Sequence, residues 1–423
     1  MTLGCKVNAY ESECYSDALK LLGFTEVSHQ EKADVYIINT CAVTNTAAQK
    51  SRQKIHLAKK LNPDALICVV GCLVQIDKNV EKEDVDILIG SSHKSELAVR
   101  IAEAYETREK IKLVDDLSKP IPFENLNMKE FAHQTRAYLK IEDGCNQFCS
   151  FCTIPLARGR ERSLNLQDVQ INAQRLLDAG HKEIVLTGIH SGRYNDGEHT
   201  LIDVLEMLVK IRTPRIRISS IEVTEVTDEI IAFMKAHGEM ARHLHIPLQA
   251  GSNSVLKNMH RPYTKEEFIE RVLYMQKEID GLAIGSDIIV GFPQESDSDY
   301  AQTKEAVKQA NITYLHVFPY SVRNGTVAAK MSGQIPQAVK KQRVSDLISY
   351  GNQRRNAFYE SFIGKETEVL LERRAGEYWQ GHSSEYLPVA VKSERDLHSM
   401  MVHVMIREIV DDVLIGELKD EIK

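Results

Sequence analysis

The chain has 423 residues, of which 43% are hydrophobic and 27% are charged, and its formal net charge is −7. This length suggests two or three domains with sizeable cores, and the composition is ordinary for a globular protein. The negative charge excludes a uniformly basic nucleic-acid binder, so any RNA contact must rest on local basic patches. With no apolar run long enough to span a bilayer and no signal peptide, we expect a cytoplasmic protein without membrane contact.

The first segment, residues 1–115, alternates short apolar runs with longer amphipathic ones, a pattern typical of parallel βαβ units. Cys5, Cys41 and Cys72 each lie just past the end of an expected strand. Because ligands of such sheets bind beyond the carboxyl ends of the strands, the three thiols can converge on one edge. Three unrelated cysteines are the alternative. Cys14 and Cys68 lie inside a predicted helix and strand, and we assign both to packing.

The middle segment, residues 131–362, follows a charged linker with two prolines and contains six predicted strand–helix repeats. Six repeats are too few for a closed eight-stranded barrel but fit a partial (βα)6 barrel. After its first strand, Cys145, Cys149 and Cys152 have the spacing C-x3-C-x2-C. Zinc usually takes four ligands, whereas three local thiolates can hold three irons of a cubane cluster and leave the fourth iron open. A zinc knuckle or surface thiols are the alternatives for the bare pattern.

Arginines near this loop are candidates for RNA contact. Arg158, Arg160 and Arg162 alternate along the chain, which on an extended loop would place them on one side and steer a polyanion. Arg261 and Arg323 are predicted to add to this charge.

The final segment, residues 363–423, follows a long charged helix and contains five short alternating strands, which predict a small β-barrel. Such barrels bind RNA through basic and aromatic surface groups. The candidates are Arg373, Arg374, Tyr378, Trp379, Lys392 and Arg395. A purely structural barrel is the alternative. The predicted fold class is therefore α/β with a C-terminal β-barrel.

These motifs resemble known families. The C-x3-C-x2-C loop is similar to the signature of radical S-adenosylmethionine (SAM) enzymes. T-L-G-C-K-V-N-A-Y-E-S-E at 2–13, N-T-C-A-V-T at 39–44 and V-G-C at 70–72 resemble the amino-terminal domain of the methylthiotransferases. Gly364-Lys365, Gly381-His382 and Gly416-Glu417-Leu418 resemble the TRAM domain, an RNA-binding barrel. One departure is that only Met1 precedes 2–13, where the family has a full strand, so we expect a late start or a shortened first strand.

The resemblance implies two [4Fe-4S] clusters and SAM as cofactors. Cys145, Cys149 and Cys152 would hold the cluster that binds and cleaves SAM, giving a 5′-deoxyadenosyl radical. Cys5, Cys41 and Cys72 would hold an auxiliary cluster that carries sulfur, so all six cysteines would be catalytic. Further SAM contacts are implied for Phe151, Thr187, Gly188, Glu222 and Gln249. For each of the polar residues among them, a structural role is the alternative.

The resemblance also implies a substrate. Lys6-Val7-Asn8-x-Tyr10-Glu11 is similar to the branch that methylthiolates C2 of N6-threonylcarbamoyladenosine next to the anticodon of tRNA. The implied partners are the tRNA anticodon loop, a reducing electron donor and a sulfur donor. Two alternatives stay open: a sister branch acting on isopentenyladenosine or a ribosomal-protein Asp, and a non-catalytic iron–sulfur or zinc protein that binds RNA.

Overall fold

The first segment forms a four-stranded parallel sheet in the order β1-β2-β3-β4. The computed structural model describes residues 1–128 and 134–419, so the predicted domain start at residue 131 and the chain end at 420–423 lie outside the described residues. The elements are α1 (Lys6–Leu21), β1 (Val35–Thr40), α2 (Asn45–Leu61), β2 (Leu66–Gly71), α3 (Cys72–Ile76), β3 (Ile87–Ile89), α4 (Leu97–Thr107) and β4 (Ile111–Leu113).

Helices cover both faces of this sheet, which is why its central strand reads as a continuous apolar run. Every residue of β2 is buried. One face packs with residues of α2 and α3, and the other with residues of α1 and α4. The backbone of Met1–Leu3 lies parallel to β1, where Thr2 pairs with Asn39.

The middle segment is the expected partial barrel of six parallel strands. The strands pair as β5-β8-β9 and β10-β11-β12, and a parallel bridge between Ile216 and Met240 joins the two groups. The elements are β5 (Arg136–Lys140), β6 (Glu142–Asp143), α5 (Ile154–Arg158), β7 (Arg162–Ser163), α6 (Leu166–Asp178), β8 (Glu183–Thr187), α7 (Leu201–Lys210), β9 (Arg215–Ile218), α8 (Asp228–Ala236), β10 (His243–His245), α9 (Asn253–Asn258), α10 (Lys265–Glu278), β11 (Ala283–Val290), α11 (Asp297–Gln309) and β12 (Tyr314–Pro319).

The final segment is a closed five-stranded barrel in the order β13-β14-β15-β17-β16. Its elements are the leading helix α12 (Gln337–Glu360), β13 (Glu366–Ala375), β14 (Tyr378–Ser383), β15 (Pro388–Lys392), β16 (Met401–Val410) and β17 (Val413–Leu418). Trp379 packs in its core and donates a hydrogen bond to the carbonyl of Arg395, so the prediction that Trp379 faces RNA is wrong. Arg373 and Arg374 are exposed, as expected.

The C-terminal barrel closes the end of the partial barrel opposite its carboxyl rim. Arg215 donates to the carbonyl of Glu368 at 3.0 Å, and Arg217 donates to the carbonyl of Ser383 at 3.1 Å. Both guanidinium groups are held by the buried carboxylate of Glu183, at 3.2 and 2.6 Å. The carboxyl rim therefore stays available for a site. None of the described helices combines the length and apolarity that crossing a membrane requires.

Candidate active site

Three of the predicted thiols meet at one edge of the N-terminal sheet; we call Cys5, Cys41 and Cys72 the sheet-edge trio. Cys5 precedes α1, Cys41 follows β1 directly, and Cys72 follows β2 directly. The backbone before Cys5 passes close to Cys41: a Cβ at Gly4 would lie 2.8 Å from the Cβ of Cys41. With a φ of +106°, Gly4 also adopts a conformation that disfavours other residues.

The thiols of the sheet-edge trio are close enough to affect one another's ionisation. Burial raises the pKa of the Cys41 thiol to about 11, and the nearby Cys72 and Cys5 thiols raise it further. The pKa of Cys5 is raised as well, mainly because protein atoms surround its sulfur although the residue as a whole is exposed, and Cys72 again contributes. All eight cysteines are free thiols. The structure therefore brings together three thiols that are 36 and 31 residues apart in sequence.

The second group, which we call the loop trio, consists of Cys145, Cys149 and Cys152. Its loop leaves β6 through Gly144, whose φ is +84° and where a Cβ would lie 2.0 Å from the carbonyl oxygen of Arg160. Only glycine fits such a close backbone approach. Burial raises the pKa of Cys145 and of Cys152 to about 12, although backbone N–H groups oppose the rise.

Hydrogen-bond donors point at the sulfurs of the loop trio. The backbone N–H of Gln147 donates to Cys145 Sγ at 3.4 Å, and that of Ile154 donates to Cys152 Sγ at 3.4 Å. The guanidinium of Arg261 donates to Cys149 Sγ at 3.2 Å. Thiolates with such donors are the ligands of iron–sulfur clusters, and the thiols lose their protons when metal binds. Both trios thus fit a cluster held by three protein ligands.

His190 is a neighbour of the loop trio that the sequence reasoning did not identify. Its Nδ1 lies 3.5 Å from Cys145 Sγ, and the backbone N–H of His190 donates to Glu142 Oε2 at 2.6 Å. His190, Cys145 and Glu161 form a group that could hold a metal ion. Only its position, three residues after the end of β8, could have indicated His190.

Three of the predicted SAM contacts, Phe151, Thr187 and Gly188, lie against other protein groups. Phe151 packs edge-to-face on Phe292, with ring centroids 6.5 Å apart. Thr187 Oγ1 lies 3.4 Å from Ser219 Oγ, and both are buried. A Cβ at Gly188 would lie 2.9 Å from Glu142 Oε2, so this glycine accommodates a buried carboxyl group.

The two remaining predicted contacts are already engaged by protein groups. Glu222 forms an ion pair with Arg261, the donor to Cys149. Gln249 has a φ of +67° and pairs through its backbone with β11. Of the five residues, the structure therefore links Glu222 to the loop trio through one arginine.

Four of the five arginines assigned to RNA contact have other roles, and Arg162 is one of them because its guanidinium pairs with Asp143 at 3.2 Å. Arg158 is fully buried, Arg261 bonds Cys149, and the guanidinium of Arg323 donates to the carbonyl of Ala42, next to Cys41. The prediction that these arginines steer a polyanion is wrong, because their charges face the protein interior. Arg160 is exposed, with its guanidinium 4.4 Å from the Phe148 ring centroid.

The contact of Arg323 also relates the two trios. Arg323 follows β12 of the partial barrel, while Ala42 belongs to the loop of the sheet-edge trio. Helix α3, which begins at Cys72, packs against α5, which follows the loop trio. The sheet-edge trio therefore lies against the carboxyl rim that carries the loop trio.

Comparison with known proteins matches both halves of this site. Residues 1–90 match the uncharacterized protein family UPF0004, and residues 139–307 match the radical SAM superfamily. The threonylcarbamoyladenosine tRNA methylthiotransferase MtaB of Bacillus subtilis is 41% identical over 96% of this chain and 92% of its own. The MtaB protein of Aquifex aeolicus is 37% identical over 88% and 91%. A tRNA-2-methylthio-N(6)-dimethylallyladenosine synthase of Moorella thermoacetica is 32% identical over 99% and 98%.

Among solved structures, the chain is similar to the radical S-adenosylmethionine methyltransferase TsrM of Kitasatospora setae, which was solved with cobalamin and a [4Fe-4S] cluster bound. The TM-score is 0.56 at 15% identity, covering 76% of this chain and 74% of that one. At this identity the similarity concerns the fold.

Proposed function

Because the chain belongs to the tRNA methylthiotransferases of the radical SAM superfamily, we propose that it methylthiolates C2 of N6-threonylcarbamoyladenosine beside the anticodon of tRNA. The C2–H bond of adenine is unactivated, so no protein acid or base can functionalise it at neutral pH, and the chemistry is delegated to cofactors. The family's cofactors are SAM and two [4Fe-4S] clusters, which when bound supply the radical and the sulfur.

The observation that carries the reaction class is the pair of thiol trios on facing edges of two segments. In the proposal, Cys145, Cys149 and Cys152 hold the cluster that binds SAM, and Cys5, Cys41 and Cys72 hold the auxiliary cluster. Arg261 orients Cys149 by a hydrogen bond to its sulfur. A target base in a single-stranded loop is unstacked at low cost and can enter the barrel mouth between them.

The substrate branch is supported by a cation beside the sheet-edge trio. Lys6 follows Cys5 at the start of α1 and is half-buried, and its charge interacts with Tyr386, Arg136 and Arg217. Both arginines already pair with carboxylates. Among the described residues, the Lys6 ammonium makes no ion pair. The threonylcarbamoyl group ends in a carboxylate that Lys6 can pair with, whereas an isopentenyl group is a hydrocarbon.

The test uses anticodon stem-loop RNAs that carry either base, with nucleosides analysed by mass spectrometry. The wild-type protein should convert the threonylcarbamoyl RNA and leave the isopentenyl RNA unchanged; the reverse preference would refute the substrate proposal. Lys6→Gln should lower the rate on the first RNA at least about 10-fold, because a charge-assisted hydrogen bond contributes about 1.5–3 kcal/mol. Lys20→Gln, at the exposed end of the same helix, is the matched control.

An RNA in which the carboxylate is replaced by a neutral carboxamide separates recognition from chemistry. Wild-type protein should prefer the carboxylate, and Lys6→Gln should lose that preference. If Lys6→Gln slows both RNAs equally, Lys6 does not bind the carboxylate, and this support for the branch is removed.

We assign residues 1–115 to the auxiliary-cluster domain, 131–362 to the radical SAM domain and 363–423 to a TRAM-like barrel that binds tRNA through Arg373 and Arg374. A reducing electron donor and a sulfur donor complete the reaction, and the protein acts in the cytoplasm. Iron and sulfide analysis after anaerobic reconstitution is the check: about eight irons per chain support two cubanes, and stoichiometric zinc would support a non-catalytic RNA-binding protein instead.

A further inference from the structure

Arg158, which was predicted to face RNA, is a buried cation between the two thiol trios. It is the last residue of α5, six positions after Cys152, and its side chain is fully buried. Its Nη1 donates to Glu11 Oε1 at 3.0 Å and to Asp143 Oδ1 at 3.1 Å, and its Nη2 donates to Asn8 Oδ1 at 2.6 Å.

One partner of Arg158 leads to the sheet-edge trio. The amide of Asn8 donates to the carbonyl of Leu3 at 2.7 Å and to the carbonyl of Thr40 at 3.0 Å. Thr40 immediately precedes Cys41, and Leu3 is separated from Cys5 by one glycine. The NH2 group of Asn8 thus binds both backbone segments that carry Cys5 and Cys41, and the oxygen of the same amide accepts from Arg158.

The other partner leads to the loop trio. Asp143 Oδ1, which accepts from Arg158, also accepts from the backbone N–H of Gly144 at 2.9 Å. Gly144 is the residue before Cys145, and its position is already constrained by its contact with the carbonyl of Arg160. The Arg158 guanidinium is therefore connected to each thiol trio through one side chain: Asn8 on the side of the sheet-edge trio and Asp143 on the side of the loop trio.

The surroundings of Arg158 carry an excess of positive charge. Lys94 Nζ lies 2.8 Å and Lys140 Nζ 3.0 Å from Glu11 Oε1. Lys140 and Arg162 also pair with Asp143, at 2.6 and 3.2 Å. Four cations thus surround two carboxylates, and a cation excess out of water favours an anion nearby.

The sheet-edge trio is the nearby anion site. Asn8 Oδ1, which accepts from Arg158, lies 3.8 Å from Cys5 Sγ, and helix α3, which begins at Cys72, packs against α5, which ends at Arg158. Thiolate-ligated clusters are anionic, and net charge around a cluster sets its reduction potential.

We propose that Arg158 is a positioning residue with two tasks: it holds the two thiol trios in one fixed relation, and it supplies buried positive charge to the auxiliary cluster. The inference rests on the proposed function, because it takes both trios to hold clusters. Removing the charge should make the auxiliary cluster harder to reduce. Arg158→Lys keeps the charge but loses the planar guanidinium. The relative position of the two trios should then be held less firmly, because a single ammonium cannot bind Asn8 and Asp143 at once as a guanidinium does.

The test compares Arg158→Lys and Arg158→Met with Arg215→Met. Arg215 is also buried and pairs with a buried carboxylate, but it lies at the opposite end of the barrel, so its loss controls for general destabilisation. Redox titration followed by electron paramagnetic resonance is done in a background that lacks the loop-trio thiols, so that only the auxiliary cluster contributes. Spin coupling between the clusters is measured in the full-cysteine protein.

Arg158→Met should shift the auxiliary potential to more negative values, and Arg158→Lys should leave it near the wild-type value while weakening the inter-cluster coupling. Both variants should yield less methylthiolated product per 5′-deoxyadenosine, by about 10-fold, as for other groups that orient metal ligands. Unchanged potential and unchanged coupling in a loaded Arg158→Met protein would overturn the inference. If Arg158→Met takes up no auxiliary cluster, the spin coupling between the clusters in Arg158→Lys becomes the deciding measurement, and unchanged coupling there would overturn the inference. Absence of two clusters from wild-type protein would instead refute the proposed function.

Discussion

Replacing Glu183 by Gln should loosen the C-terminal barrel from the partial barrel. Glu183 is fully buried and holds Arg215 and Arg217, whose guanidinium groups donate to carbonyls of the C-terminal barrel. Burial alone would raise the pKa of Glu183, but Arg217 and Arg215 outweigh it and lower the pKa to about 2 from the usual 4.5. This difference corresponds to about 3 kcal/mol, close to the cost of breaking a buried ion pair.

Trp379 reports on the unfolding of the C-terminal barrel once its contacts with the partial barrel weaken, because it is the sole tryptophan of the chain and lies in the core of that barrel. In urea, the midpoint of its fluorescence change should fall by about 1–2 M in Glu183→Gln. Glu278→Gln removes an exposed ion pair with Lys235 and should leave the midpoint unchanged.

The stabilisation that Glu183 contributes should depend on pH. Because the folded state lowers the pKa of Glu183, its stabilisation is present above pH 4.5 and is lost as the pH falls from 4.5 toward 2. The difference between wild type and Glu183→Gln should therefore be full at pH 7 and shrink in acid. A midpoint shift below about 0.3 M at pH 7, or a difference that grows in acid, would refute the reasoning.

Three further predictions concern the thiol trios and the barrel surface. Cys149→Ala should abolish 5′-deoxyadenosine formation, whereas Cys41→Ala should spare it and stop sulfur transfer; equal loss of cleavage in both would contradict the assignment. Gly144→Ala should lose about half of the bound iron, because its Cβ would meet the Arg160 carbonyl at 2.0 Å, whereas Gly180→Ala, at a similar φ in open space, should retain it. Arg373→Gln with Arg374→Gln should reduce the salt dependence of tRNA binding by about two counterions, and Trp379→Phe should not; a larger effect of Trp379→Phe would restore it as an RNA contact.

The elements of the fold were predictable because their signals are local. The six strand–helix repeats of the middle segment and the five short strands of the final segment are present as the apolar pattern predicts. The short α3 and β4 could not be predicted, because five and three residues are too few for a period to emerge. The sheet-edge trio could be predicted because cysteines after parallel strands share an edge, and the loop trio because its spacing is local.

The roles of the charged residues could not be predicted, because burial depends on contacts distant in sequence. Arg158 alternates with two other arginines along the chain, yet its partners Asn8 and Glu11 lie about 150 positions away. Trp379 was misjudged for the same reason, since the closure of the barrel places its ring inside. Arg160, Arg373 and Arg374 are exceptions, since their exposure agrees with the prediction.

The two trios differ in how much of the chain must be in place before they exist. The loop trio spans eight residues, so its thiols are close together even in a nascent or partly folded chain. The sheet-edge trio needs Met1–Leu3, β1 and β2 to be paired, which closes loops of more than thirty residues first. Iron uptake should therefore occur in two phases, a fast one that survives mild denaturant and a slow one that waits for the N-terminal sheet, and a stopped-flow absorbance record would resolve them.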